Sequence, residues 1–229
     1  MTARLIVALD YPDADGALAM VERLGEGCDF YKVGLELFVA AGPRIVTLLA
    51  SRRKEVFLDL KFHDIPNTVR GAARSAASLG AVLVTVHGSG GEAMLAAAVE
   101  GAAERCGVLA VTVITSLDGA TLGAAWGRDA PVDVTAEVLR LAGSAREAGA
   151  HGIVCGGAEA AAVRTRHGKA LALLIPGIRP AGAGAHDQSR VVTPRAAVAA
   201  DATYLVLGRA VTAAADPEAA LAEIRAAII

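Results

Sequence analysis

Aromatic side chains are nearly missing from this chain: Phe, Tyr and Trp make up 3% of its 229 residues. So few rings leave no interleaved series on which bases could stack. The 22 Lys and Arg set against 24 Asp and Glu leave no basic field for a nucleic-acid backbone. A nucleic-acid partner is not expected, and any nucleotide bound is a small molecule. Cysteine is scarce too. Cys28, Cys106 and Cys155 lie far apart, are odd in number and form no C-x-x-C pair. They are read as small buried side chains in a reducing compartment, not as a disulfide framework or a metal centre. No stretch approaches the roughly 20 uninterrupted apolar residues of a membrane span. The apolar run from Leu5 to Leu9 is too short for a secretory signal. A cytoplasmic protein with no membrane partner is the expectation.

What is abundant is small and aliphatic. The 54% hydrophobic content is carried by Ala, Val and Leu, which suits strands buried on both faces and helices packed through short side chains. Short apolar runs at 5–10, 30–35, 56–61, 82–87, 108–115, 152–155, 170–175 and 204–208 read as strands. Amphipathic segments at 13–24, 43–51, 67–79, 91–105, 134–148, 158–167, 194–199 and 217–228 read as helices between them. Strand followed by helix, eight times over, predicts an α/β fold closed as a (β/α)8 TIM barrel. The length suits one such barrel, so residues 1–229 are read as a single domain.

The chemistry concentrates where these strands end. Asp59-Leu60-Lys61-Phe62-His63-Asp64 closes the apolar stretch Val56-Phe57-Leu58. Alternation along a strand turns Asp59 and Lys61 to one face and Leu58, Leu60 and Phe62 to the other. Asp64 falls in the turn that Pro66 leads into a helix. An ammonium held between carboxylates keeps its proton, which makes it an acid and not a base. Alternating charges of this length also suit a solvated turn, and their company decides between the two. Asp10, Lys32 and His87 stand at or near the ends of other strands, the end at which parallel barrels build their sites. His63 and His87 lack a helix-spaced partner, so no metal is assigned to them. His151 and His167 are expected in solvent.

A second cluster follows the last strands. Pro176-Gly177-Ile178-Arg179 opens a Gly- and Ala-rich loop that runs to His186-Asp187-Gln188, and strand eight ends in Gly208-Arg209. In barrels of this kind the loops after strands seven and eight often hold a phosphate. Gly208 permits close backbone approach and Arg209 offers a forked cation. Arg179 and Gln188 are placed to close over it from a lid.

These residues together resemble the orotidine 5′-phosphate decarboxylase family. The run Asp59-Leu60-Lys61-Phe62-His63-Asp64-Ile65-Pro66-Asn67-Thr68 is similar to the family's signature. Val7-Ala8-Leu9-Asp10, Tyr31-Lys32-Val33-Gly34, Val86-His87-Gly88-Ser89-Gly90-Gly91, Val111 to Ser116, Pro176-Gly177-Ile178-Arg179 and Gly208-Arg209 fall in the family's order. The resemblance implies cofactor-free decarboxylation of orotidine 5′-phosphate to uridine 5′-phosphate, the last step of de novo pyrimidine biosynthesis, with Lys61 protonating C6. It implies a charged array of Lys32, Asp59, Lys61 and Asp64. It gives Asp10, Thr115 and the peptide around Ser116 to ribose and pyrimidine, Lys32 to a ribose hydroxyl, and Arg179, Gln188, Gly208 and Arg209 to the phosphate or lid. It further implies a homodimer in which Asp64 and Thr68 reach the neighbouring subunit's site.

Two other readings share parts of this pattern. Magnesium-dependent phosphosugar enzymes such as keto-gulonate-phosphate decarboxylase or hexulose-phosphate synthase have the same D-x-K-x-x-D spacing and stabilise an enediolate on the metal. A non-catalytic barrel that binds a nucleotide phosphate is the more distant alternative.

Overall fold

The computed structural model describes residues 3–179 and 192–228. Eight parallel strands follow one another around a closed barrel: β1 (Arg4–Leu9), β2 (Phe30–Gly34), β3 (Glu55–Phe62), β4 (Ala81–His87), β5 (Gly107–Val111), β6 (Gly152–Val154), β7 (Ala172–Ile175) and β8 (Tyr204–Leu207). Closure comes from β8 pairing with β1, Arg4 opposite Tyr204 through Val7 opposite Leu207. The expected (β/α)8 TIM barrel is the fold. Strand alternation sorts the core into two parts. Ile6, Phe30, Phe57, Leu83, Leu109 and Leu174 fill the interior, while Val7, Leu9, Tyr31, Val33 and Leu58 pack outward under the helices. The interior is therefore solid, and polar chemistry is confined to its ends.

Local signals fix the helices. The Asp13, Asp133 and Asp216 side chains accept backbone N–H bonds at the starts of Ala14–Leu24, Val134–Glu147 and Pro217–Ala226, satisfying donors that the first helical turn leaves free. Pro66 and Pro194 occupy first-turn positions where a missing N–H costs nothing. Short helices at Leu35–Ala41, Gly119–Ala125 and Arg209–Thr212 lie where the sequence suggested loops. The strand expected over 108–115 stops at Val111. Beyond it, the Thr112 hydroxyl donates to Val154 O at 2.7 Å, and the chain turns off towards the helix capped by Asp118. Trp126 at the end of that helix stays partly exposed with the Arg128 guanidinium 5.1 Å from its ring centre.

The N-terminal end of the barrel is closed by a polar plug. Arg4 makes a forked pair with Glu55, at 3.0 and 2.8 Å, and its guanidinium lies 4.7 Å from the centre of the Phe30 ring. Phe30 meets Tyr204 edge-on, and the Tyr204 hydroxyl is 3.1 Å from His151 Nε2. His151, expected in solvent, is thus tied into the plug, and burial lowers its pKa from the usual 6.5. His167 was also expected in solvent, but both its ring nitrogens are buried and its pKa falls chiefly by burial. A group with a depressed folded pKa binds protons more readily when unfolded. Its stabilising effect is whole above its unfolded pKa and is lost as pH falls through the lower, folded value. The thermal midpoint should therefore drop as pH is taken from about 7 to about 5. His151→Gln, which cannot titrate there, should show a shallower drop. Melts of both proteins across that range check it, and parallel curves would count against His151.

Candidate active site

A cavity of about 460 Å³ opens among the C-terminal ends of the strands, a size suited to a small ligand. Asp10, Lys32, Asp59, Lys61, Thr115, Arg179, Gly208 and Arg209 line it. Polar groups that sequence reasoning drew from β1, β2, β3, β5, β7 and β8 therefore share one chamber.

On one side the charges alternate. Lys32 Nζ lies 2.8 Å from Asp10 Oδ1 and 3.9 Å from Asp59 Oδ2, and Lys61 Nζ lies 2.9 Å from the same Asp59 oxygen. The Asp59 side chain is 13% exposed and that of Lys61 is 32% exposed, so the pair is only partly screened by water. Two local features make this close approach possible. Gly34 stands opposite Asp59 in the β2–β3 register, and a Cβ there would sit 2.9 Å from Lys32 Nζ and 3.2 Å from Asp10 Oδ1. Its bare backbone leaves room for the ammonium. Lys61 itself has φ of +50°, a left-handed conformation that costs a non-glycine residue roughly 1–2 kcal/mol. Asp59 and Lys61 share a face as expected, yet through a bulged strand and not through plain alternation. Leu60 and Phe62 pack outward as expected.

On the other side lie two arginines. Arg179 is 7% exposed; its Nη1 donates to Ile178 O at 3.0 Å, while its buried Nε has no hydrogen-bond partner among the described residues. Burial, and then the charge of Arg209, lower its pKa. An anion in the chamber would relieve both effects. Beside it, a Cβ added to Gly208 would meet only open space. Arg179 N donates to Val192 O at 3.0 Å, which ties together the described residues on either side of 180–191. Gln188 and His186 lie outside the described residues.

Asp64 and Thr68 are exposed and do not line the chamber. The Asp64 Oδ1 accepts from Ile65 N at 2.6 Å. Within one chain the charged array is Asp10, Lys32, Asp59 and Lys61; Asp64, expected to reach the neighbouring subunit's site, lies outside it. The reason is local: the chain leaves the barrel wall after Phe62 and enters the helix Pro66–Ser78. The His63 and His87 rings sit 5.4 Å apart. Burial, His63 and Lys61 in turn hold His87 below its usual pKa. No group of three or more His, Cys, Asp or Glu is gathered for a metal among the described residues.

Sequence reasoning passed over Gly34 and Thr85. The only hint of Thr85 was a hydroxyl in the otherwise apolar run Val82 to Val86. The role of Gly34 needed the β2–β3 register.

Fold and chamber define a parallel (β/α)8 barrel with a lysine–carboxylate array at its mouth, facing a wall that bears two arginines. The profile of the Orotidine 5'-phosphate decarboxylase / HUMPS family matches residues 3–224. The orotidine 5'-phosphate decarboxylase of Alkalilimnicola ehrlichii is 54% identical over 225 residues, covering 97% of this chain and 94% of its own. That of Halorhodospira halophila is 51% identical, covering 98% and 95%. The crystal structure of orotidine 5'-phosphate decarboxylase from Lactobacillus acidophilus superposes with a TM-score of 0.87 at 34% identity, covering 99% of each chain. The chain belongs to the orotidine 5′-phosphate decarboxylase / HUMPS family.

Proposed function

We propose that this protein decarboxylates orotidine 5′-phosphate to uridine 5′-phosphate in pyrimidine biosynthesis, as one barrel domain working without a cofactor in the cytoplasm. The observation that carries the reading is the Lys61 ammonium, 2.9 Å from Asp59, in a chamber that also holds Arg179 and Arg209. Relatives bearing the decarboxylase name across nearly the full chain support it.

Loss of carbon dioxide from C6 leaves an electron pair in the plane of the pyrimidine ring, where no π-system accepts it. The protein has to stabilise that charge by its own electrostatics, and the barrier reduction required is on the order of 20 kcal/mol. A lysine fixed beside C6 stabilises the developing carbanion and then delivers its proton to the carbon. Asp59 holds that lysine in place and would lie near the departing carboxylate. Lys32, itself held by Asp10, would bind a ribose hydroxyl, and Asp10 and Thr115 would flank the nucleoside. Arg179, Gly208 and Arg209, together with Gln188, would take the phosphate. Binding energy from that unreacting group can organise the chamber and so raise turnover as well as affinity.

The magnesium-dependent phosphosugar enzymes are separated by one assay. Absorbance at the orotate band should report full conversion of orotidine 5′-phosphate to uridine 5′-phosphate in the presence of a chelator. Turnover lost on chelation and restored by Mg²⁺ would favour the phosphosugar reading. Binding of the nucleotide without conversion would favour a non-catalytic barrel.

The working unit is proposed to be a homodimer in which Asp64 and Thr68 complete the partner's chamber. Leu35, Val39 and Ile65, which follow the adjacent strands β2 and β3, are 54%, 81% and 68% exposed. Large apolar side chains left bare at the mouth of a site suit a protein–protein contact. No helix among the described residues is long and apolar enough to cross a membrane.

A further inference from the structure

We infer that Thr85 is a positioning residue for the decarboxylation, holding both the Asp59 carboxylate and the Lys61 backbone through one hydroxyl. The inference rests on the reading of Lys61 as the proton donor. Its origin is a mismatch between strands. Leu58 pairs with Val84 and Phe62 with Val86, so β3 takes four steps where β4 takes two. Asp59, Leu60 and Lys61 all lie opposite Thr85 alone. A strand that carries extra residues loses ladder partners for its backbone, and an unpaired buried N–H is costly.

Thr85 fills that gap. Its side chain is fully buried, at 0% exposure, in a strand otherwise apolar until His87. The Thr85 Oγ1 accepts from Lys61 N at 2.9 Å and donates to Asp59 Oδ1, also at 2.9 Å. A hydroxyl has one proton to give, so accepting from the amide and giving to the carboxylate fixes its orientation. The two bonds act on different parts of the site. The first stabilises the left-handed turn at Lys61 that sets where its side chain leaves the wall. The second anchors one Asp59 oxygen, leaving Oδ2 for the Lys61 and Lys32 ammonium groups. Thr85 does not line the chamber, so it acts on substrate only through those two residues. A reaction whose catalyst is one ammonium placed against one carbon is sensitive to displacements well below an ångström.

The test compares three variants by kcat, KM and affinity for uridine 5′-phosphate. Thr85→Val keeps the shape and removes the hydroxyl; Thr85→Ala removes it without a risk of overpacking; Thr85→Ser retains it. Val and Ala should lower kcat by about 30- to 100-fold with KM and product affinity changed less than about threefold. Ser should stay within about threefold of the parent in kcat. Product affinity serves as the check on folding, and a Val variant that fails it hands the decision to Ala and Ser. Parental kcat in a hydroxyl-free variant overturns the inference. So does a Ser variant that falls as far as Ala, or a rise in KM with kcat unchanged. A parent protein that does not convert orotidine 5′-phosphate refutes the function itself, which is a different result from a parent that turns over and a Val variant that equals it.

Discussion

Lys61→Ala should lower kcat for orotidine 5′-phosphate by at least about 10⁴-fold while affinity for uridine 5′-phosphate stays within roughly an order of magnitude of the parent. Two roles are removed at once. Electrostatic stabilisation of a developing anion by one positioned group typically contributes about 10²- to 10³-fold, and a positioned general acid about 10²- to 10⁴-fold. Since both operate at the same carbon, their loss compounds. The product lacks the carboxylate and the carbanion, so it does not draw on Lys61 in the same way, and its phosphate still meets Arg179 and Arg209 in the proposed site. The variant should remain folded. Asp59 keeps the Thr85 hydroxyl at 2.9 Å and Lys32 at 3.9 Å, so its charge is not left buried alone. Steady-state absorbance kinetics and a product titration measure the two effects separately. Parental turnover in this variant would remove Lys61 from the chemistry, and equal losses in turnover and product affinity would make it a binding residue only.

That Lys61 could be found in the sequence, while its backbone could not, reflects what each depends on. Asp59 and Lys61 declare themselves because charges at the end of an apolar strand are locally conspicuous, although the face they share comes from the bulge in β3 and not from their spacing of two. The left-handed turn at Lys61 depends on how many residues β4 supplies opposite β3, a non-local quantity that neither strand carries alone. Thr85 was missed for the same reason. The eight strands were legible because burial on both faces writes an uninterrupted apolar run. The helices Leu35–Ala41 and Gly119–Ala125 were not. Each has seven residues, too few for a periodic pattern to accumulate, and the first starts at Gly34, which offers no side-chain cap. Arg179 and Arg209 were placed at the correct strand ends, but the depth of Arg179 is set by the strands around it. His151 shows the reverse error: a polar residue near a helix end reads as solvated unless the tyrosine it meets, 53 positions away, is known to be there.

In the proposed dimer Asp64 serves the neighbouring chamber, and hybrid dimers should make that visible. Lys61→Ala and Asp64→Ala are each expected to be nearly inactive as homodimers. If Asp64 serves the neighbour's chamber, a hybrid holds one site lacking both residues and one site with both intact. Random exchange puts half of all dimers in the hybrid form, each with one good site of two, so an equimolar mixture should recover about a quarter of parental activity. Sites confined to one chain would recover none, because every chamber would then lack Lys61 or Asp64. The single-chain geometry favours the first outcome. Asp64 is exposed, its Oδ1 accepts from the next residue's amide, and Ile65 beside it is 68% exposed, an arrangement costly in water and sensible against a second barrel. Mixed-tag purification of the hybrid, followed by the absorbance assay, separates failed exchange from failed complementation. Hybrid protein isolated intact and still inactive would return Asp64 to the role of a surface turn residue.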